Sequence, residues 1–187
     1  MRCLWAESSD LIRQYHDLEW GVESHDEAYL FEMLVLESFQ AGLSWNTILV
    51  KRENFRQALS NFDPIHIASY DSDKIESLLS DEGIIRHRKK IEATIHNAQV
   101  YNKLKAEGFS LNAYLWNFVD FKPVRNEWYN MNEVPSTSEL SIKVAKGLKK
   151  LGFKFMGPTT TYAYLQAVGI INDHLKECRS NKDDKRI

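Results

Sequence analysis

The chain has 187 residues, enough for one domain with a sizeable core, and its 43% hydrophobic and 27% charged residues are those of an ordinary globular protein. A formal net charge of −2 excludes a nucleic-acid coat that works by bulk positive charge, so a DNA-facing surface has to come from local clusters of Lys and Arg. No N-terminal apolar run has signal-peptide or membrane length, which points to a cytoplasmic protein with no membrane partner; two cysteines in that reducing setting are left with metal binding or plain burial.

Ser9 or Asp10 can cap a first short helix carrying Leu11, Tyr15 and Leu18, with Trp20 and Gly21 at its end. Asp26 can cap a second, in which Leu30, Met33, Leu34, Glu37 and Ala41 recur at three- and four-residue spacing, so Glu37 falls on the inward face. A carboxylate is costly there unless donors meet it, and those come either from a buried Arg, Tyr or amide, or from a ligand. Gly42 can end this helix in a left-handed conformation, which pushes Leu43 out on the bend and lets Ser44 cap a third helix from Trp45 through Ile48, Leu49, Phe55 and Leu59. Asp63 and Pro64 supply the cap and first residue of a short turn, and Asp71 or Ser72 caps a helix with Ile75, Leu78 and Leu79 that stops near Gly83. From Arg86 to about Glu107 a long helix turns Ile91, Ile95, Ala98, Tyr101 and Leu104 inward and closes at Gly108. Ser110 restarts a helix through Leu115 and Phe118, and 121–137, holding two of the four prolines, reads as one long loop. Ser138 caps a basic helix that ends at Gly152, Pro158 can begin another, and the remainder to Cys178 is expected to be helical, followed by a frayed charged tail over 181–187. The apolar period is helical throughout, which predicts an all-α fold.

Three constellations stand out. Cys3, His16, His174 and Cys178 form a pair at each end of the chain, and the spacing of four in the second pair would put both ligands on one helical face. Two soft sulfurs and two imidazoles suit tetrahedral zinc, the alternative being small core cysteines that happen to stand near histidines. The helix, tight Gly-Ile-Ile turn and basic helix over 75–103 look like a helix-hairpin-helix, which offers backbone amides to a DNA phosphate. Its Arg86, Arg88, Lys89 and Lys90 are either DNA contacts or a solvated helix start. Five Trp, eight Tyr and nine Phe suit a stacking pocket, although core packing is the default for each aromatic taken singly.

The stretch L-E-S-F-Q-A-G-L-S-W at Leu36 to Trp45, C-L-W at Cys3 to Trp5, Y-H-D-L-E-W-G-V at Tyr15 to Val22, G-I-I-R-H-R-K-K at Gly83 to Lys90 and G-F-K-F-M-G at Gly152 to Gly157 together resemble the bacterial 3-methyladenine DNA glycosylase I family. The resemblance runs in order from Cys3 to Cys178. It implies a single glycosylase domain over 1–180 of the helix-hairpin-helix superfamily, built as two helical lobes whose termini are joined by a structural zinc site. The implied zinc ligands are Cys3, His16, His174 and Cys178, a closed set with no open position for water. The implied base pocket is Trp5, Tyr15, Trp20, Glu37 and Trp45 with Leu43 as a wedge, and Glu37 is the catalytic-site carboxylate that reads the adenine edge, expected partly buried and ionised.

The implied activity is base-excision repair: hydrolysis of the bond between 3-methyladenine and deoxyribose in double-stranded alkylated DNA by a monomer, which leaves an abasic site and free 3-methyladenine. A cationic methylated base is already an activated leaving group, so base selection becomes the larger task. DNA contacts are expected from Arg86, Arg88, Lys89 and Lys90, and from Lys143, Lys146, Lys149, Lys150 and Lys154. The resemblance departs at Ile12, where some members carry a second tyrosine, and no catalytic aspartate or Schiff-base lysine is nominated. The rival reading is a non-catalytic, zinc-stapled helical module that binds damaged DNA.

Overall fold

Helix starts fall where capping side chains stand. In the computed structural model, which describes residues 1–181, Ser9 accepts from the Ile12 amide to open α1 (Asp10–Leu18), Asp26 from Tyr29 to open α2 (Glu27–Gln40), and Ser44 from Thr47 to open α3 (Trp45–Ala58). Asp63 and Pro64 begin α4 (Pro64–Ala68), Asp71 caps α5 (Ser72–Ser80), and His87 caps α6 (Arg88–Ala106) two residues later than the charge pattern suggests. Ser110 caps α7 (Leu111–Trp116), and Ser138 caps α8 (Glu139–Leu151), which Gly152 closes at φ 103°. Pro158 starts α9 (Pro158–Ala167). The fold is all-α, as expected.

α2 is apolar on nearly every side, so it runs through the core with other helices packed around it. Phe31, Phe39, Phe55, Trp116 and Tyr164 are its largest enclosed neighbours and members. A second, smaller cluster of Ile12, Tyr15, Trp20, Leu49 and Leu175 with the two cysteines joins the chain ends. Arg52 on α3 bridges the clusters: its guanidinium donates to Glu32 on α2 at 2.7 Å and to Glu19 just after α1 at 2.7 Å.

Three expectations change. On α1 the buried residues are Ile12, Tyr15 and His16, while Leu11 and Leu18 stay exposed, because the face that carries His16 must turn toward Cys178. The loop 121–137 holds a two-residue strand β1 (Val124–Arg125), paired in parallel with β2 (Ile171–Asn172), and a 3-10 turn at Met131–Glu133. The segment after α9 is therefore not helical to Cys178. Gly169 sits at φ +75° where a Cβ would lie 2.2 Å from the Val22 carbonyl, so only glycine lets the chain leave the helix against that backbone. The tail expected to fray lies outside the described residues apart from Asn181, which ends a 3-10 turn. No helix among the described residues is long and apolar enough to cross a membrane.

Candidate active site and metal centre

The turn that ends α2 builds one corner of a cavity of about 610 Å³. Gly42 adopts φ +84°, as its position after the apolar run suggests, and the Leu43 amide donates to the Gln40 carbonyl at 2.7 Å. Glu37, one turn earlier, lines the cavity together with Trp5, Tyr15, Trp20 and Trp45. Tyr15 and Trp45 lie 5.3 Å apart between centroids, and Trp5 meets Trp20 edge-on at 4.9 Å. All five pocket residues read from the sequence thus meet in one place. Leu43, the expected wedge, is 38% exposed on the bend and does not line the cavity.

Glu37 is only 3% exposed, and burial alone pushes its carboxyl up to about 8. The expectation of a partly buried Glu37 is corrected, because the side chain is enclosed; that burial works against the ionised state expected of it. Its Oε2 and the Trp45 Nε1 are the two enclosed side-chain polar atoms that lack a hydrogen-bond partner among the described residues. Tyr15 is pushed well above the ordinary tyrosine range by burial and then by the Glu37 charge.

The opposite wall was not legible in the motifs. The start of α9 supplies Thr159, Thr160, Tyr162 and Gln166, and the long loop supplies Met131, Val134, Pro135 and Ser136. Both are fastened by Asp173, which is fully enclosed and accepts from Asn126, Trp128 and Gln166 at 2.7 Å each and from Tyr162 at 2.5 Å. The one available signal was its place beside His174.

Cys3, His16, His174 and Cys178 are all buried, and their donor atoms lie within 4.8 Å of one another. The group can hold a metal ion. Cys178 Sγ is 3.5 Å from His16 Nε2 and 3.6 Å from His174 Nδ1, and Cys3 Sγ is 3.9 Å from His174 Nδ1. Zn–S and Zn–N bonds at tetrahedral angles require a sulfur-to-nitrogen separation of about 3.6 Å. The outward nitrogens are also occupied: His16 Nδ1 meets Asp17 at 2.9 Å, and His174 Nε2 meets the Trp20 carbonyl at 2.9 Å, which fixes both rings as metal ligands need. Hydrogen bonding with Cys3, and then with His16 and His174, holds the Cys178 thiol well below the usual thiol range. The i, i+4 pair does not sit on a helix. His174 and Cys178 flank a tight turn in which the Cys178 amide donates to the Leu175 carbonyl at 2.7 Å, and a turn brings residues four apart together as a helix does.

The hairpin is present as α5, a turn anchored by buried Ile84, and α6. Arg88 pairs with Glu76 at 2.5 Å and Arg86 with Glu82 at 3.6 Å, while Lys89 is exposed. Lys90 departs from the expected DNA contact. Only 6% exposed, its ammonium turns inward and donates to the carbonyls of Phe39 at 2.7 Å and Ala41 at 2.9 Å. Lys143, Lys146, Lys149, Lys150 and Lys154 are all exposed on and just after α8.

The chain is similar to known proteins over nearly its whole length. The family model described as methyladenine glycosylase matches residues 5–181. The chain is 44% identical over 177 residues to DNA-3-methyladenine glycosylase 1 of Escherichia coli strain K12, with 95% of each chain covered. It is 42% identical over 177 residues to the DNA-3-methyladenine glycosylase of Haemophilus influenzae, covering 95% of this chain and 96% of that one. A crystal structure of 3-methyladenine DNA glycosylase I superposes with a TM-score of 0.93 at 45% identity, over 96% of this chain and 98% of that one. The Staphylococcus aureus 3-methyladenine DNA glycosylase I, solved to explain its 3-methyladenine recognition, superposes at 0.92 with 35% identity, over 98% and 97%.

Proposed function

The chain belongs to the methyladenine glycosylase family, and from that premise we infer that it is a DNA repair N-glycosylase that removes 3-methyladenine from alkylated DNA. One observation carries the reading at this chain's own residues: an enclosed carboxyl with an unpartnered oxygen ends an aromatic-lined cavity of about 610 Å³. Glu37 is the acceptor for the exocyclic amine of a flipped adenine, and the rings of Tyr15, Trp45, Trp5 and Trp20 stack on or edge the purine. Burial pushes the Glu37 carboxyl up to about 8, and a cationic base beside it opposes that shift, so the carboxylate form is favoured where it matches the ring's charge.

In the reaction the C1′–N9 bond breaks and its electron pair neutralises the cationic purine. A water oxygen then bonds to C1′ and gives up a proton, leaving free 3-methyladenine and an abasic site. The departing base needs no protonation, so the residues named above bind and orient it. We assign zinc to the Cys3, His16, His174 and Cys178 cluster as a structural ion, on the donor set and its spacing. Held there, it would join residues from both ends of a single domain over 1–180, and His174, whose Nε2 meets the Trp20 carbonyl, would relay that hold to Trp20. Double-stranded DNA would lie across the hairpin and the exposed lysines on and just after α8, with Leu43 on the bend beside Gly42. The protein would act as a monomer in the cytoplasm, a reducing compartment in which the two cysteines, which form no disulfide, stay available as ligands.

The test is to incubate the purified chain with methylated DNA and chromatograph the free bases. Release of 3-methyladenine is expected; binding to alkylated DNA without any release would leave only a damage-binding module.

A further inference from the structure

A buried ammonium links the hairpin that is proposed to meet DNA to the corner that holds Glu37, beside the apolar packing of Ile84 and Ile91 and the bonds from Lys51 and Asn54 on α3 to the carbonyls of Glu82 and Gly83. α2 ends without a complete carbonyl cap of its own: Leu43 N–H satisfies Gln40, and the Lys90 ammonium, from the third residue of α6, satisfies Phe39 and Ala41. A cation at a helix C-terminus is favoured by the helix dipole, and a buried lysine that donates to two carbonyls is fixed in a way an exposed one is not. Those carbonyls lie just after Glu37 and just before Gly42, whose left-handed turn sets the direction of Leu43 and of the cap of α3, hence of Trp45. Farther along the same α6, Asn97 exchanges two hydrogen bonds with the backbone of Lys154 and His96 meets the Gly152 carbonyl at 2.9 Å, so the connection into α9 is tied to α6 as well. The Glu37 corner and the segment leading into α9 are thereby both tied to the helix that leaves the hairpin.

We propose that Lys90 is a positioning residue that sets the distance between the hairpin's DNA phosphate and the Glu37 corner, so that a base still attached to its strand seats in register. This rests on the glycosylase reading of the pocket. A free base does not span the two sites and is recognised by Glu37 and the aromatics alone, whereas a nucleotide in duplex DNA is held at both ends. Misplacement near 1 Å is enough to cost up to about 100-fold in rate.

The experiment compares wild type, Lys90→Met, Lys90→Gln and Lys90→Arg in three measurements: kcat and KM on methylated duplex DNA, affinity for duplex with an abasic site, and affinity for free 3-methyladenine. Lys90→Met is expected to lower kcat by tens of fold, with abasic-duplex and free-base affinities within about threefold of wild type, and Lys90→Arg to restore most of the rate because it keeps the donors. Equal losses in rate and free-base affinity would overturn the proposal in favour of plain pocket damage. Lost duplex affinity with unchanged kcat would overturn it in favour of a phosphate contact, and failure of both Lys90→Met and Lys90→Gln to fold would make Lys90 structural. Absence of base release by wild type itself would sink the glycosylase reading instead.

Discussion

α2 carries a glutamate near each end, and the two are placed in opposite circumstances. Glu27 opens the helix and accepts four hydrogen bonds, from Ser110 Oγ at 2.5 Å, Tyr101 Oη at 2.6 Å and the amides of Asn112 and Leu111 at 2.9 and 3.2 Å. Burial acts to raise its pKa, and those donors overcome the effect and hold it below the ordinary value. Glu37 near the other end is more deeply enclosed, has an oxygen with no donor, and is pushed up to about 8. Asp173 resembles Glu27: both of its oxygens accept from donors inside the chain. The difference separates polar groups satisfied within the fold from one that the fold leaves without a donor, which is the ground for the ligand role proposed for Glu37.

The sharpest test of that comparison is at the Cys3, His16, His174 and Cys178 cluster, which can hold a metal ion. One zinc per chain is expected by elemental analysis of protein purified without chelator, and its absence would remove the assignment. Cys178→Ser should cost more stability than any other single change considered, several kcal/mol, with turnover per folded molecule largely kept. If turnover vanished while melting stayed constant, the metal would be catalytic.

Glu27→Ala comes next, because it leaves two hydroxyls and two amides without their acceptor. A loss of about 3 kcal/mol in urea unfolding is expected, with free-base affinity within twofold. Its folded pKa lies below the unfolded one, so its contribution is present above the unfolded value and fades as pH falls through the folded one. A variant that lost base binding but not stability would reverse the roles given to the two glutamates.

Much of this division was readable from residue types. Capping Ser and Asp residues placed most helix starts, and the three- and four-residue spacing on α2 turned Glu37 inward. The spacing of His174 and Cys178 identified a cluster but suggested a helix where a turn stands, since both bring residues four apart together. The far wall of the cavity comes from a loop and a helix start with no periodic pattern, held by long-range hydrogen bonds to Asp173 that local sequence does not encode. Lys90 stands among four basic residues, and nothing in that run marks which one turns inward; its acceptors are 49 and 51 residues away.

Glu37→Gln sharpens the contrast on α2 from the other side. Replacing an acceptor oxygen by a donor amide should weaken binding of free 3-methyladenine by about 1.5 to 3 kcal/mol, measured by titration. Its effect on folding has the opposite sign. The folded carboxyl titrates near 8 and the unfolded one near 4.5, so the folded state holds a proton that the unfolded state releases between those values. Wild-type stability should therefore decline as pH rises from 4.5 to 8, by up to about 1.4 kcal/mol per unit, and level off above. Glu37→Gln should flatten that decline and melt higher than wild type at pH 9. Unchanged base affinity in the variant would remove Glu37 from the site.

The smallest effect concerns Lys89, the neighbour of Lys90. Lys89 is exposed and Lys90 is enclosed, so adjacent residues of one type divide into a candidate phosphate contact and an internal brace. Neutralising one phosphate releases counterions and contributes about 0.9 to the slope of log affinity against log salt. Lys89→Ala should therefore reduce that slope for abasic duplex by about one while leaving kcat and free-base affinity alone. Arg86→Ala and Arg88→Ala should change it less, because Glu82 and Glu76 already share their guanidinium charges. If Lys89→Ala left the slope unchanged, the hairpin would make no side-chain phosphate contact there, and the DNA path would have to run over Lys143, Lys146, Lys149 and Lys150, where paired alanine substitutions should then give the missing change.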